Sequence, residues 1–257
     1  MNILLIGDIV GKPGRQVVEK HLRVLRKQHK IGYVIANAEN AAGGFGLTPD
    51  TAHELLGSGV DILTSGNHIF AQKDIIPYLD ADMPILRPLN YPAGVPGRGY
   101  IIFGKVLIVN LMGRVFMNDL DCPFRAMDKL LGELKNKPKV IIVDFHAEAT
   151  SEKVAMGRYL DGRVSAVLGT HTHVGTIDTQ ILPGGTAYVT DIGMTGPTDS
   201  IIGDEADGVI QRFLTQMPHH LTVGKGKPVL NAILVEIDEA SGKAASIKRV
   251  QKEMAEP

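Results

Sequence analysis

At 257 residues, 44% of them hydrophobic, the chain is long enough for one large domain or two small ones with a substantial core. A formal net charge of -1 without any long block of Lys or Arg argues against an extended nucleic-acid-binding face, while a small anionic substrate stays compatible with a locally positive site. Cys122 is the one cysteine, which excludes an intrachain disulfide and a Cys-rich zinc site and fits a reducing cytoplasm, and no apolar run approaches the roughly 20 residues of a membrane span.

The chain opens on Asn2 to Gly7, apolar without polar alternation, the pattern of a strand covered on both faces. Asp8 interrupts it and no charged leader or cleavage pattern accompanies it, so it reads as a strand rather than a signal peptide. Gly14 to Lys30 sets Val17, Val18, Leu22, Val24 and Leu25 against Arg15, Glu19, Lys20 and Arg23, which predicts a helix with one solvated face. A strand at Tyr33 to Ala36 leads into the loop Gly43-Gly44-Phe45-Gly46. Thr48-Pro49-Asp50 then opens a helix, and Asp61 to Thr64 is the next strand. Pro84, Pro88, Pro92 and Pro96, with Gly94, Gly97 and Gly99, predict a long irregular segment. Tyr100 to Phe103 and Val106 to Val109 flank Gly104-Lys105 as a hairpin, so the sheet should be mixed. Helices at Phe124 to Leu134 and Ser151 to Leu160 alternate with strands at Val140 to Asp144 and Val164 to Leu168. A strand at Thr186 to Thr190 and a closing hairpin, Pro228 to Ile237 with Ala245 to Val250, complete a chain without repeats or a linker, which predicts a single domain over residues 1–257.

Several of the apolar runs end in metal-binding side chains: Asp8 after the first, Glu39-Asn40 after the second, Asn67-His68 after the third, His146 after Val140 to Asp144, and His171-x-His173 after Val164 to Thr170. Strand-end residues from distant parts of an α/β chain converge at the carboxyl edge of the sheet. Carboxylate oxygen, imidazole nitrogen and amide oxygen suit hard and borderline divalent ions. Asp8, Glu39, Asn40, Asn67, His146, His171 and His173 are too many donors for one tetrahedral zinc and suit two ions sharing a carboxylate. With only Asp8 and Glu39 anionic, two divalent ions leave the cluster positive, so an anionic substrate bridging both, a phosphate ester, is the natural candidate.

In their order, Gly7-Asp8, Gly66-Asn67-His68, His146 and His171-x-His173 resemble the calcineurin-like metallophosphoesterases. The chain departs from that pattern: Val10 stands where Asp-x-His would place histidine, Glu39 replaces the bridging Asp, and Thr170 separates Gly169 from His171. These departures, with Gly7-Asp8-Ile9-Val10-Gly11 and Asn37 to Gly44, resemble the YmdB-type branch of bacterial cyclic-nucleotide phosphodiesterases, from Asn2 to about Gly196. The resemblance implies an α/β fold, a metallophosphoesterase-type four-layer α/β/β/α sandwich with mixed sheets. It also implies Asp8, Glu39, Asn40 and His173 around one ion and Glu39, Asn67, His146 and His171 around the other, with His68 as proton donor. It further implies two metal ions, iron or its substitute manganese, and hydrolysis of 2′,3′-cyclic nucleotides to 3′-monophosphates.

Each of these residues alone has a plainer reading: Asp8 as a helix cap, Asn67 as a turn former, His146 as a satisfied buried histidine. The remaining histidines, His21, His29, His53, His219 and His220, are assigned no chemistry. Gly7 to Pro13 is one residue short of a phosphate-binding Gly-x4-Gly-Lys-Ser/Thr loop and has Pro13 in place of the hydroxyl. Gly43-Gly44-Phe45-Gly46 lacks the spacing of a dinucleotide fingerprint and reads as a wall of the site. Asp191 to Pro197 reads equally as a further wall or a plain turn. The alternatives to a cyclic-nucleotide phosphodiesterase are a phosphomonoesterase or nucleotidase on the same metals, and a noncatalytic regulatory or RNA-associated protein. The expected partner is a small phosphate ester, without a membrane; a homo-oligomer is compatible with the composition.

Overall fold

Two six-stranded sheets face each other in the computed structural model, which describes residues 1–254. In chain order the elements begin with β1 (Asn2–Ile6), α1 (Gly11–Gln28), β2 (Ile31–Asn37), α2 (Pro49–Gly57) and β3 (Ile62–Thr64). A 3₁₀ turn at Lys73–Ile75 runs into α3 (Ile76–Leu79), followed by β4 (Tyr100–Phe103), β5 (Val106–Met112), α4 (Pro123–Glu133), β6 (Val140–His146), α5 (Thr150–Leu160) and β7 (Ala166–Thr170). The last elements are β8 (Gln180–Ile181), β9 (Ala187–Val189), β10 (Gly196–Asp204), α6 (Ala206–Thr215), β11 (Val223–Ile237) and β12 (Ala244–Glu253).

In the first sheet β1, β2 and β3 run parallel, and β11 pairs antiparallel with β1, β10 and β12. In the second, β5, β6, β7 and β9 run parallel between the antiparallel edge strands β4 and β8. Side-chain alternation along the central strands feeds three separate cores. Leu4, Ile6, Val34 and Leu63 pack under Val17, Val18, Leu22 and Leu25 of α1 and Leu55 of α2. Ile3, Leu5, Ile35 and Ile233 meet Val106, Ile108, Ile142 and Leu168 between the sheets. Leu107, Val109, Ile141 and Val143 pack against Met127 of α4 and Met156 of α5. Helix, sheet, sheet and helix therefore form four layers with mixed sheets, as the sequence resemblance implies.

The sequence reading misplaces some boundaries. Helix α1 starts at Gly11 rather than Gly14, because Gly11 turns the chain with a φ of +57° and no side-chain cap marks the start. β11 begins at Val223, five residues before the predicted Pro228, since its early part pairs with β10, an element with no apolar alternation. The proline-rich segment is irregular as expected. Arg87 holds it together by donating to the carbonyls of Pro88, Val95 and Pro96.

Candidate metal centre

The parallel strands of both sheets end at one edge, and the polar residues at or just after those ends meet there. Asp8 follows β1, Glu39 and Asn40 follow β2, and Asn67 and His68 follow β3 of the first sheet. His146 ends β6 and His171 and His173 follow β7 of the second. Glycines permit the approach: a Cβ on Gly66 would stand 2.1 Å from His146, and one on Gly7 would stand 1.8 Å from the Gly193 carbonyl oxygen.

The seven predicted donors come together in two overlapping groups. His146 Nε2 lies 2.9 Å from Glu39 Oε1, 3.0 Å from Asn67 Oδ1 and 2.9 Å from His171 Nδ1. Beside it, His173 Nε2 lies 3.8 Å from Asp8 Oδ1, which is 3.7 Å from His146 Nδ1; Asn40 presents its amide nitrogen to His173 at 3.2 Å and turns the oxygen that could hold a cation toward His68. The donor atoms of Glu39, His146 and His171 fall within 4.8 Å of one another and can hold a metal ion. His68 stands at the rim, its Nδ1 2.8 Å from Asn40 Oδ1 and its backbone N–H donating to Glu39 Oε2 at 3.0 Å. In the Gly7 to Pro13 turn, Val10 N–H donates to the Thr195 carbonyl and Gly11 N–H to the Asn40 carbonyl.

The electrostatics favour a cation. Asp8 is 0% exposed; its Oδ2 accepts from the His171 N–H at 3.1 Å, whereas Oδ1 has no hydrogen-bond partner. Leaving a buried carboxylate oxygen unmatched costs on the order of 1–3 kcal/mol, and a metal is the partner this donor set suits. Burial raises Asp8 above its ordinary range, and it pushes Asp144 up to about 6 against hydrogen bonds from Thr64 and Thr170. Burial opposes a charge on His146, but Glu39, Asp8 and Asp144 outweigh it and lift the imidazole to about 9. Glu39 is itself held down to about 2, burial notwithstanding, by His146 and His68, while burial and His146 push His171 down to about 3.

A polar layer beneath the donors aims them. His146 Nδ1–H meets Thr170 Oγ1 at 3.0 Å, and that hydroxyl donates to Asp144 Oδ1 at 2.7 Å, so Nε2 is left facing the cluster. Thr64 donates to the other Asp144 oxygen at 2.5 Å, tying β3 to β6 across the two sheets. His173 Nδ1–H is held by the Ile202 carbonyl at 2.6 Å, again leaving Nε2 inward. His171 and His173 adopt φ of +100° and +64°, a region uncommon for non-glycine residues. Asp191 and Lys153 brace the turn on both sides of His171. The buried Lys153 ammonium bonds the Thr170 carbonyl at 2.7 Å and Asp191 Oδ2 at 2.5 Å, and Asp191 accepts the N–H groups of Thr172 and Gly193 at 3.1 Å and 2.8 Å.

The sequence reading missed Asp144, Lys153 and Glu148, whose Oε2 lies 3.1 Å from His171 Nε2. Asp191, read there as part of a wall or turn, is instead a buried anchor. His220, assigned no chemistry, lines the cavity above the cluster, as do Asp204 and Arg212. No local spacing betrays these residues, because each reaches the site only through the tertiary fold.

A 2′,3′-cyclic-nucleotide 2′-phosphodiesterase of Bacillus subtilis is 47% identical over 254 residues, covering 97% of this chain and 96% of that one. The structure of a hypothetical protein from Thermus thermophilus superposes with a TM-score of 0.94 at 44% identity, over 99% of this chain and 100% of the other. A phosphatase from Mycoplasma pneumoniae superposes with a TM-score of 0.92 at 34% identity, over 98% and 93%. The family described as YmdB-like protein matches residues 4–250, and the chain belongs to that family.

Proposed function

We propose that this protein is a binuclear metal-dependent phosphodiesterase that opens 2′,3′-cyclic nucleotides to 3′-monophosphates. The observation that carries this reading is the pair of overlapping donor groups, Glu39, Asn67 and His171 at His146 Nε2 beside His173 and Asp8, the second of which contains the unmatched Asp8 oxygen. Asp8, Glu39, Asn40 and His173 would hold one ion, and Glu39, Asn67, His146 and His171 the other, with iron or manganese as the metal. When bound, such ions supply positive charge to the phosphate oxygens and make water nucleophilic at neutral pH.

The chain's own residues supply orientation and a proton. The Thr170–Asp144 pair fixes the tautomer and direction of His146, and the Ile202 carbonyl does the same for His173. His68 Nδ1–H is held by Asn40 Oδ1, which leaves Nε2 to give a proton to the departing 2′ oxygen from the imidazolium form. Burial lowers the His68 pKa, so the imidazolium is a stronger acid and is formed at lower pH. A cytoplasmic location suits such a substrate and the single cysteine.

The test joins metal analysis of metal-replete protein to a screen of cyclic nucleotides, phosphate monoesters and open diesters. Two ions per chain and preference for 2′,3′-cyclic nucleotides are expected. A preference for monoesters would make the protein a phosphomonoesterase on the same centre, and no turnover at all would favour the noncatalytic alternative.

A further inference from the structure

Above the cluster lies a cavity of about 760 Å³ whose floor includes Glu39, Asn40, His171 and His173. That size is within the range that encloses a small organic ligand and exceeds what a phosphate group alone fills. Phe45 is the one Phe, Tyr or Trp on its lining, and it is 53% exposed. Its ring centroid lies 4.4 Å from that of His68, tilted by 49°, so one side of the phenyl rests on the rim histidine while the rest is open.

An exposed phenylalanine on a glycine-rich loop would ordinarily be mobile, yet this one is tied in place. Ala42 N–H donates to the Gly46 carbonyl at 2.9 Å, Gly44 N–H to Asn40 at 3.1 Å, and Phe45 N–H to Ala42 at 3.2 Å. Gln72 Nε2 holds the Phe45 carbonyl at 2.8 Å. Gly46, at a φ of +84°, lets the loop pass so close to Gln72 that a Cβ there would stand 2.7 Å from it. The loop therefore presents an aromatic surface in a fixed place beside the phosphate-sized cluster, which is the arrangement that stacks a base while its phosphate is held.

We propose that Phe45 is a nucleobase platform: the base of a nucleotide stacks on the open part of its ring while the phosphate reaches the Glu39, His171 and His173 cluster. This inference rests on the nucleotide reading above and extends it, because it makes the base a determinant of specificity, with purines favoured over pyrimidines by their larger stacking area. Phe45 acts on binding and takes no part in bond cleavage.

The test is equilibrium binding, by calorimetry, of adenosine monophosphate and of ribose 5-phosphate to metal-replete protein. In the wild type the adenine should tighten binding by about 5- to 100-fold. Phe45→Ala should bring the two affinities to within about twofold, and Phe45→Trp should keep the difference. A difference that persists in Phe45→Ala would overturn the proposal, as would a wild type that binds both ligands equally. Turnover of 2′,3′-cyclic AMP and of glycerol 1,2-cyclic phosphate, measured in parallel, separates this inference from the proposed function. Base-dependent binding through Phe45 without turnover of either ester would contradict the phosphodiesterase reading alone. Turnover with an unchanged binding difference in Phe45→Ala would contradict the platform alone. Equal losses on both esters with no change in the binding difference would assign Phe45 to shaping His68 and would also overturn the platform.

Discussion

His68 touches Asn40 and Glu39 yet stands outside both donor groups, so proton transfer and metal holding are separable at this residue. His68→Ala is expected to keep both ions and lose about 10²- to 10⁴-fold in rate. The loss should shrink for nitrophenyl esters, whose leaving group departs without a proton; an equal loss on both substrate types would make His68 a binding residue instead. His146 carries a second prediction. Glu39, Asp8 and Asp144 keep it protonated to about 9, whereas coordination needs the Nε2 lone pair, so metal binding expels a proton. Affinity should therefore rise with pH across the neutral range, up to about tenfold per unit. An affinity that stays flat from about pH 6 to about pH 8 by chelator competition would remove His146 from the donors.

At the scale of elements, β7 and the turn after it bear the strain. The Lys153–Asp191 pair joins α5 to the segment after β9 and brackets His171 from both sides, through the Thr170 carbonyl and the Thr172 N–H. Lys153→Met would keep the bulk and leave a buried carboxylate without its partner, a change worth about 3–5 kcal/mol of stability. With His171 and His173 released, metal affinity should fall by about 10- to 100-fold as well. Thermal unfolding with and without metal checks both, and unchanged metal affinity in a destabilised variant would make the pair purely structural. These elements also show what a sequence can and cannot tell. Asp8, Glu39, Asn67, His146 and His171 were legible because each sits at, or a few residues beyond, the end of an apolar run, where strand geometry sends side chains to one edge. Lys153 and Asp191 were not, since 38 residues separate them and their pairing exists only in the fold. Strand β10 was equally silent: Pro197 and Asp199 give it no alternation, and it is a strand because β11 offers an edge.

For the molecule as a whole, the core between the sheets is the joint that decides whether they act together. Ile3, Leu5 and Ile35 interlock there with Ile108, Ile142 and Leu168, and the Thr64–Asp144 hydrogen bond continues the joint up to the donors. Each sheet alone supplies only part of the donor set. We therefore propose that residues 1–257 form one domain, and calorimetry should show one transition. Two resolved transitions, one per sheet, would divide the molecule through its own site.

We propose that donors from both sheets, gathered around Glu39 and His146, build a centre that opens a cyclic phosphodiester. It is tested most directly by chromatography of the products that metal-replete protein forms from 2′,3′-cyclic AMP, beside the same assay on Glu39→Gln, a change of charge at nearly constant volume. The wild type should give 3′-AMP and the variant should lose at least about a hundredfold in rate, with an unaltered circular dichroism spectrum. Intact cyclic nucleotide in the wild-type reaction, or near-normal turnover by folded Glu39→Gln, would contradict it.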